Sequence, residues 1–162
     1  MDNMLIVTVG ISGSGKSTLS DELVAEGNFT RICPDDIRRE ITGDISDQSR
    51  NGQVWKEAFA RLENALQKGE NVVFDSIGTT RKTRNQLRAV AEKIDASVAA
   101  YVLMDSLSAE RCRDRVAADI ENGVDRSNTL VKDDIIARQH AKFLDTLRSI
   151  EDEGFDDIVR IG

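Results

Sequence analysis

The chain has 162 residues, room for one domain with its own core and little beyond it. Its 22 basic and 29 acidic residues give a formal charge of -7, which excludes a general electrostatic pull toward nucleic acid or anionic membrane and makes any polyanion site a local one. Cys33 and Cys112 fall into no CxxC or Cys/His spacing, so neither a zinc site nor a disulfide framework is indicated and a reducing cytoplasm is expected.

Met4 to Val9 is a continuous apolar run, the pattern of a strand covered on both faces of a parallel sheet, with no signal peptide or membrane-spanning helix expected before it. Gly10-Ile11-Ser12-Gly13-Ser14-Gly15-Lys16-Ser17-Thr18 follows and matches the phosphate-loop pattern G-x-x-x-x-G-K-[ST]. The chemistry needs this composition because backbone N–H groups must close around a polyphosphate, and glycines let the chain approach and turn that sharply. Gly10, Ser12, Gly13, Ser14, Gly15, Lys16, Ser17 and Thr18 are therefore the expected nucleotide-binding set. Lys16 supplies a point charge for the phosphates, Ser17 a hydroxyl for Mg²⁺, and the next helix its positive N-terminal end.

Leu19, Leu23 and Val24 recur at helical spacing to about Glu26, and Phe29 to Cys33 reads as a second strand. Pro34-Asp35-Asp36-Ile37-Arg38-Arg39-Glu40 opens a short helix, and the polar loop around Gly43 to Asp47 is the expected mobile segment. Val54, Trp55, Ala58, Phe59, Leu62, Ala65 and Leu66 follow a 3-4 rhythm that predicts a helix packed on the sheet. Val72-Val73-Phe74-Asp75 is a buried strand ending in a carboxylate. The next helix turns Leu87, Val90, Ala91 and Ile94 inward and Arg81, Lys82, Arg84 and Arg88 largely outward. A fourth strand spans 97–104, a helix 109–121, a final helix about 132–151 with Ile136, Phe143, Leu147 and Ile150 on one stripe where His140 is expected to pack, and a last strand 157–161. Alternating strands and helices imply a parallel sheet with helices on both faces, the α/β class.

Ligands of such sheets lie beyond the carboxyl ends of the strands, which selects the phosphate loop, Asp35 and Asp75 as neighbours in one crevice. Asp75 stands where a nucleotide-binding enzyme keeps the carboxylate for Mg²⁺ or its water shell; capping of the next helix is the alternative. Asp35 could take the proton of an acceptor hydroxyl, and Arg38 could bind an acceptor phosphate with its planar fork. Pro34-Asp35-Asp36 is equally well read as an acidic helix start. Arg111, Arg113, Arg115 and Arg126 offer candidates for an arginine that stabilises charge on a transferring phosphoryl group. The face carrying Arg81, Lys82, Arg84 and Arg88 could track an acceptor backbone or simply be solvated.

With these elements in place the chain resembles, over nearly its whole length, the kinase domain of the 5′-hydroxyl polynucleotide kinases of bacteriophages and bacterial RNA-repair enzymes. The resemblance rests on the phosphate loop, on Asp35-Asp36-Ile37-Arg38 and on Asp75-Ser76. It implies a P-loop kinase fold: about five parallel strands in the order 2-3-1-4-5, flanked by helices, in one domain over 1–162 with a helical lid near 108–131. It implies ATP or another nucleoside triphosphate with Mg²⁺, and nucleic acid 5′-OH ends as the substrate partner, without a membrane. Asp35 matches the family's general base, Arg38 its acceptor-phosphate ligand, and Lys16 and Ser17 its ATP and Mg²⁺ ligands. Arg126 is expected first, and Arg115 second, as the lid ligand of the nucleotide. Val131 to Arg138 resembles the family's V-P-E-x-V-I-x-R helix start, with Lys132 in place of proline, and Asp75-Ser76-Ile77 departs from its Asp-Thr-Asn. A small-molecule kinase of the same architecture, such as the toxin kinases acting on nucleotide sugars, is the alternative. An ATPase without an acceptor is a third reading, although no Asn-Lys-x-Asp or Leu-Ser-Gly-Gly-Gln motif is present.

Overall fold

The computed structural model describes residues 3–127, 130 and 134–162. Its sheet consists of β1 (Met4–Val9), β2 (Phe29–Ile32), β3 (Asn71–Phe74), β4 (Ser97–Leu103) and β5 (Asp157–Ile161), all parallel and in the order β2-β3-β1-β4-β5. That is the order expected of a P-loop kinase. Leu5, Ile6, Val7 and Val9 are fully buried, which is why the central strand reads as an unbroken apolar run. Thr8 is its polar exception. Its hydroxyl lies 3.1 Å from the Phe74 carbonyl and 2.7 Å from that of Ser76, so the ends of β1 and β3 are tied together and their loops emerge side by side.

Six helices flank the sheet among the described residues: α1 (Lys16–Ala25), α2 (Pro34–Thr42), α3 (Asn51–Gln67), α4 (Arg81–Ile94), α5 (Ala109–Glu121) and α6 (Ile135–Ser149). Proline at its first position starts α2, where the missing N–H costs nothing, and Gly43 ends it in the left-handed region at φ 77°. α3 buries Val54, Ala58, Leu62, Ala65 and Leu66, as its rhythm predicts. Trp55 stacks obliquely between Phe59 and Phe74, with ring centroids 6.1 and 5.9 Å away, at the edge of this core. Among the described residues no helix is long and apolar enough to cross a membrane.

Several expectations from the sequence are corrected. Arg84 does not point outward: it is 1% exposed, and its Nε and Nη2 donate to Glu153 Oε1 and Oε2 at 2.8 and 2.6 Å. Its remaining Nη1 serves the Gly78 carbonyl at 2.9 Å and the Thr146 hydroxyl at 3.0 Å, so each guanidinium nitrogen has a buried partner in place of water. Arg88 is also turned in, with its guanidinium 5.3 Å from the centre of the Phe155 ring. Leu19 and Leu23 are only half-buried and Val24 is exposed, so Ser20 is the buried residue of α1. Its helix follows from attachment to the phosphate loop rather than from a strong apolar face. The polar segment after α2 contains a 3-10 turn, Gln48–Arg50, capped by the Asp47 carboxylate accepting from Ser49 N. His140 is half-buried and bonds the Leu107 carbonyl at 3.1 Å instead of packing wholly in the apolar stripe. The final helix ends at Ser149 and passes into a 3-10 turn, Ile150–Asp152. Val131, Lys132 and Asp133, which carry the expected helix-start motif, lie outside the described residues.

Candidate active site

The phosphate loop leaves β1 and is held at several points along its outer side. Gly10 N–H donates to the Ile77 carbonyl at 2.9 Å, Ile11 N–H to the Ser106 hydroxyl at 3.0 Å and Ser12 N–H to Gln139 Oε1 at 3.0 Å. Gly13, at φ 83°, lies with its α-carbon against the Cys112 carbonyl of α5, so a side chain there would strike backbone. Gly15, at φ 100°, opens instead onto empty space at the start of α1. The Ser14 hydroxyl is buried without a partner among the described residues. An open glycine, an orphaned hydroxyl and a free helix N-terminus fit the loop to a polyphosphate.

Lys16 Nζ donates to the Ile11 carbonyl at 3.0 Å, folding the side chain back over the loop. Burial pushes this ammonium below the ordinary lysine range; the charge of Arg126 acts in the same direction, and those of Asp75 and Asp35 oppose it. The charges of Arg126, Asp75 and Asp35 thus all reach the Lys16 ammonium.

Asp75 is buried just beyond β3, its N–H donating to the Ile32 carbonyl at 2.8 Å. One carboxylate oxygen, Oδ2, accepts from Ser17 Oγ at 3.4 Å and from Arg31 Nε and Nη2 at 3.0 and 2.8 Å. A hydroxyl and a buried carboxylate side by side are hard oxygen donors of the kind Mg²⁺ takes beside phosphate oxygens and water. The residues present fit that ion. No group of three or more His, Cys, Asp or Glu side chains suited to a metal occurs among the described residues. Burial works against the charge on Arg31, but the neighbouring Asp75 prevails and its pKa is raised. Burial, reinforced by the Asp75 charge, pushes the Cys33 thiol up to about 12, so it stays protonated.

The other half of the site stands on α2. Arg38 is buried and its Nη1 donates to Asp35 Oδ1 at 2.6 Å, while the Asp35 side chain is 61% exposed. Asn51, the first residue of α3, accepts from Arg38 Nε and Nη2 at 3.1 and 2.9 Å and donates to Gln48 Oε1 at 2.7 Å. Pairing at i, i+3 brings the acid and the arginine onto one side of the helix, as read from their spacing. The fork is therefore held in a fixed plane, with the carboxylate presented to solvent.

Arg115 and Arg126 line a cavity of about 500 Å³ together with Gly13, Ser14, Gly15 and Thr18. Arg115 Nη1 donates to the Gly13 carbonyl at 3.1 Å and Nη2 to Asp105 Oδ2 at 2.9 Å. Arg126 Nε donates to Asp119 Oδ2 at 2.7 Å. Arg111 reaches Asp105 only at 3.8 Å and Arg113 reaches Asp134 at 3.9 Å, and neither lines this cavity. The basic face considered on α4 is reduced to Arg81 and Lys82 by the inward turn of Arg84 and Arg88.

Sequence reasoning missed Asn51, Arg31, Ser106 and Gln139. Asn51 resembles any polar helix start, and Ser106 and Gln139 act from 95 and 127 residues away from the loop they hold. Arg31 carried one visible signal, a charge inside a short strand.

Sheet order, phosphate loop and strand-end carboxylate define the class as a P-loop nucleotide-binding domain of the kinase type. The AAA domain family matches residues 5–146, and the chain belongs to that family. No curated protein matches it in sequence. Among solved structures it is similar to a chain of the Pnkp1/Rnl/Hen1 RNA repair complex, with a TM-score of 0.77, 19% identity, and coverage of 91% of this chain and 46% of that one. It is also similar to a fungal RNA kinase (TM-score 0.61, 19% identity, 100% and 76% covered). A third similar structure comes from the PezAT chromosomal toxin-antitoxin system of Streptococcus pneumoniae (TM-score 0.67, 15% identity, 98% and 66% covered). The chain spans 35% and 46% of the length of the two matched RNA-repair-complex chains.

Proposed function

We propose that the protein is a polynucleotide 5′-hydroxyl kinase, transferring the γ-phosphoryl group of ATP or another nucleoside triphosphate to the 5′-OH end of DNA or RNA. The observation that carries this reading is the Asp35–Arg38 pair with Asn51 behind it, within electrostatic reach of Lys16. A general base beside a fixed guanidinium fork suits an acceptor whose hydroxyl lies next to a phosphate. The similar structures that include an RNA repair complex and a fungal RNA kinase support the same direction.

In this reading the triphosphate lies in the loop from Gly10 to Thr18, with Lys16 against its β- and γ-phosphates and Ser17 and Asp75 as the residues that would hold Mg²⁺. That ion would neutralise phosphate charge and set the leaving group in line. Asp35 takes the proton as the acceptor oxygen bonds to γ-phosphorus; the bond from that phosphorus to the bridging oxygen breaks and ADP leaves. Arg38 holds the neighbouring phosphate of the acceptor. Arg126, with Arg115 beside the loop, meets the charge that spreads over the transferred group.

A second reading, a kinase of small phosphorylated or sugar acceptors, is favoured by the net charge of -7 and by the shrunken basic face of α4. Labelled ATP incubated with 5′-OH DNA, 5′-OH RNA, 3′-nucleoside monophosphates and nucleotide sugars separates the two. Label on polynucleotide ends is the expected result. Label confined to nucleotide sugars would overturn the proposal, and hydrolysis that no acceptor diverts would favour an ATPase.

A further inference from the structure

A chain of alternating charges runs from the buried metal carboxylate to the loop bearing Arg126. It starts at Asp75, whose Oδ2 accepts from Arg31 Nη2 at 2.8 Å. The other arm of that guanidinium, Nη1, donates to Asp36 Oδ2. Asp36 then uses its second oxygen, Oδ1, to accept from Arg39 Nη1 at 3.4 Å, and Arg39 Nε donates to Asp125 Oδ2 at 2.8 Å. Asp125 precedes Arg126, which is itself moored to Asp119 of α5 at 2.7 Å. The sequence gives Asp36 only the bland role of an acid in a helix's first turn, yet its two oxygens join the two halves of this chain.

We propose that Asp36 is a positioning residue that couples occupation of the cation site at Asp75 and Ser17 to the seating of the 122–127 loop and hence of Arg126. The inference rests on the reading of Asp75 and Ser17 as the cation site. The physical argument is competition for shared charge. A divalent cation at Asp75 draws on the carboxylate that now serves Arg31, so Arg31 leans harder on Asp36. Asp36 then has less to give Arg39, and Arg39 pairs more fully with Asp125, drawing the loop toward α2. An isolated exposed pair such as Arg39–Asp125 is worth little by itself, but linked charges sharing partners do not act independently. Coupling of this kind is reciprocal, so a seated loop also favours the cation.

The test is hydrogen exchange of the backbone amides of residues 122–127 in the ADP complex, with and without Mg²⁺, in the absence of any acceptor. In the wild type, Mg²⁺ should slow exchange there by about fivefold to tenfold, within the usual range of site-to-site coupling. Asp36→Asn and, at the other end, Asp125→Asn should each abolish that Mg²⁺-dependent gain, and Asp36→Glu should restore part of it. ADP affinity without Mg²⁺ should stay within about twofold throughout, which a general loss of structure would not allow. A gain that survives Asp36→Asn, or that is absent in the wild type while Mg²⁺ still tightens ADP, overturns the coupling. Since no acceptor is present, these outcomes are separate from the failure of the kinase reading, which the labelling panel alone decides.

Discussion

Arg84–Glu153 and Arg38–Asp35 are the same chemical pair put to opposite uses. The side chains of Arg84 and Glu153 are 1% and 0% exposed, whereas those of Arg38 and Asp35 are 7% and 61% exposed. Both arginines are buried and both are well bonded. The difference lies in the carboxylate: Glu153 spends both oxygens on Arg84 and accepts from Ser149 as well, while Asp35 gives one oxygen to Arg38 and keeps an open edge to solvent. A sealed pair can only hold elements together, here α4, α6 and the segment before β5. An open one can meet a substrate.

Removing the open carboxylate should give the largest effect and leave the fold alone. Asp35→Asn is expected to lower turnover with a polynucleotide acceptor by about 10²–10⁴, or roughly 3–5 kcal/mol of barrier, because a positioned base is lost. Nucleotide affinity should hardly change, and the thermal midpoint should fall only slightly, since the side chain is exposed and asparagine keeps an acceptor for Arg38 Nη1. Unchanged turnover in steady-state assays would take Asp35 out of the mechanism.

Breaking the sealed pair should do the reverse. Arg84→Met leaves Glu153 as a buried charge without its partner and the Gly78 carbonyl without its donor, and should cost about 3–5 kcal/mol of folding stability. Urea unfolding measures this, and the protein that remains folded should bind nucleotide normally. A loss below about 1 kcal/mol would mean that water replaces the pair and that the contrast drawn above is false.

Much of this was legible in the sequence, and what was not shares a cause. β1, the phosphate loop and Asp75 are local signals: an apolar run, a fixed motif, an acid at a strand end. Asp35 and Arg38 lie three residues apart, so their pairing follows from helix geometry. Arg84 was misread because its partner Glu153 is 69 residues away, and a basic residue on a helix reads as solvated until such a partner is seen. Gln139, which holds the phosphate loop from α6, was invisible for the same reason. Asn51 is intermediate at 13 residues from Arg38, close in sequence but across a turn whose path no pattern predicts.

Asn51 does for Arg38 what Gly78 and Thr146 do for Arg84. Asn51→Ala removes the acceptor of two guanidinium N–H groups without touching the carboxylate. Hydrogen bonds to charged groups are worth about 1.5–3 kcal/mol, so the acceptor KM should rise by about tenfold as the fork loosens. Turnover at saturating acceptor should fall less, since Asp35 is still in place. A variant that loses turnover but keeps its KM would assign Asn51 to the chemistry instead of to the orientation of Arg38.

The smallest effect is a matter of sign, and it tests whether the sealed pair is sealed. Burial alone would raise the Glu153 pKa, but the bonds and charge of Arg84, the Ser149 hydrogen bond and the Arg81 charge together outweigh it and the net shift is downward. A carboxylate depressed in the folded state contributes stability above the unfolded glutamate pKa of about 4.3, and that contribution is lost as pH falls through the lower folded value. In Arg84→Met the balance inverts, because burial remains while its compensation is gone. Glu153 should then be raised above its unfolded value, so acidification from neutral protonates it first in the folded state and favours folding. The stability gap between wild type and variant should therefore narrow as pH falls toward the glutamate range, read from urea midpoints at several pH values. A gap that widens instead would mean that Glu153 finds another cation when Arg84 is removed. Arg81, whose charge already acts on it, is the residue to change next.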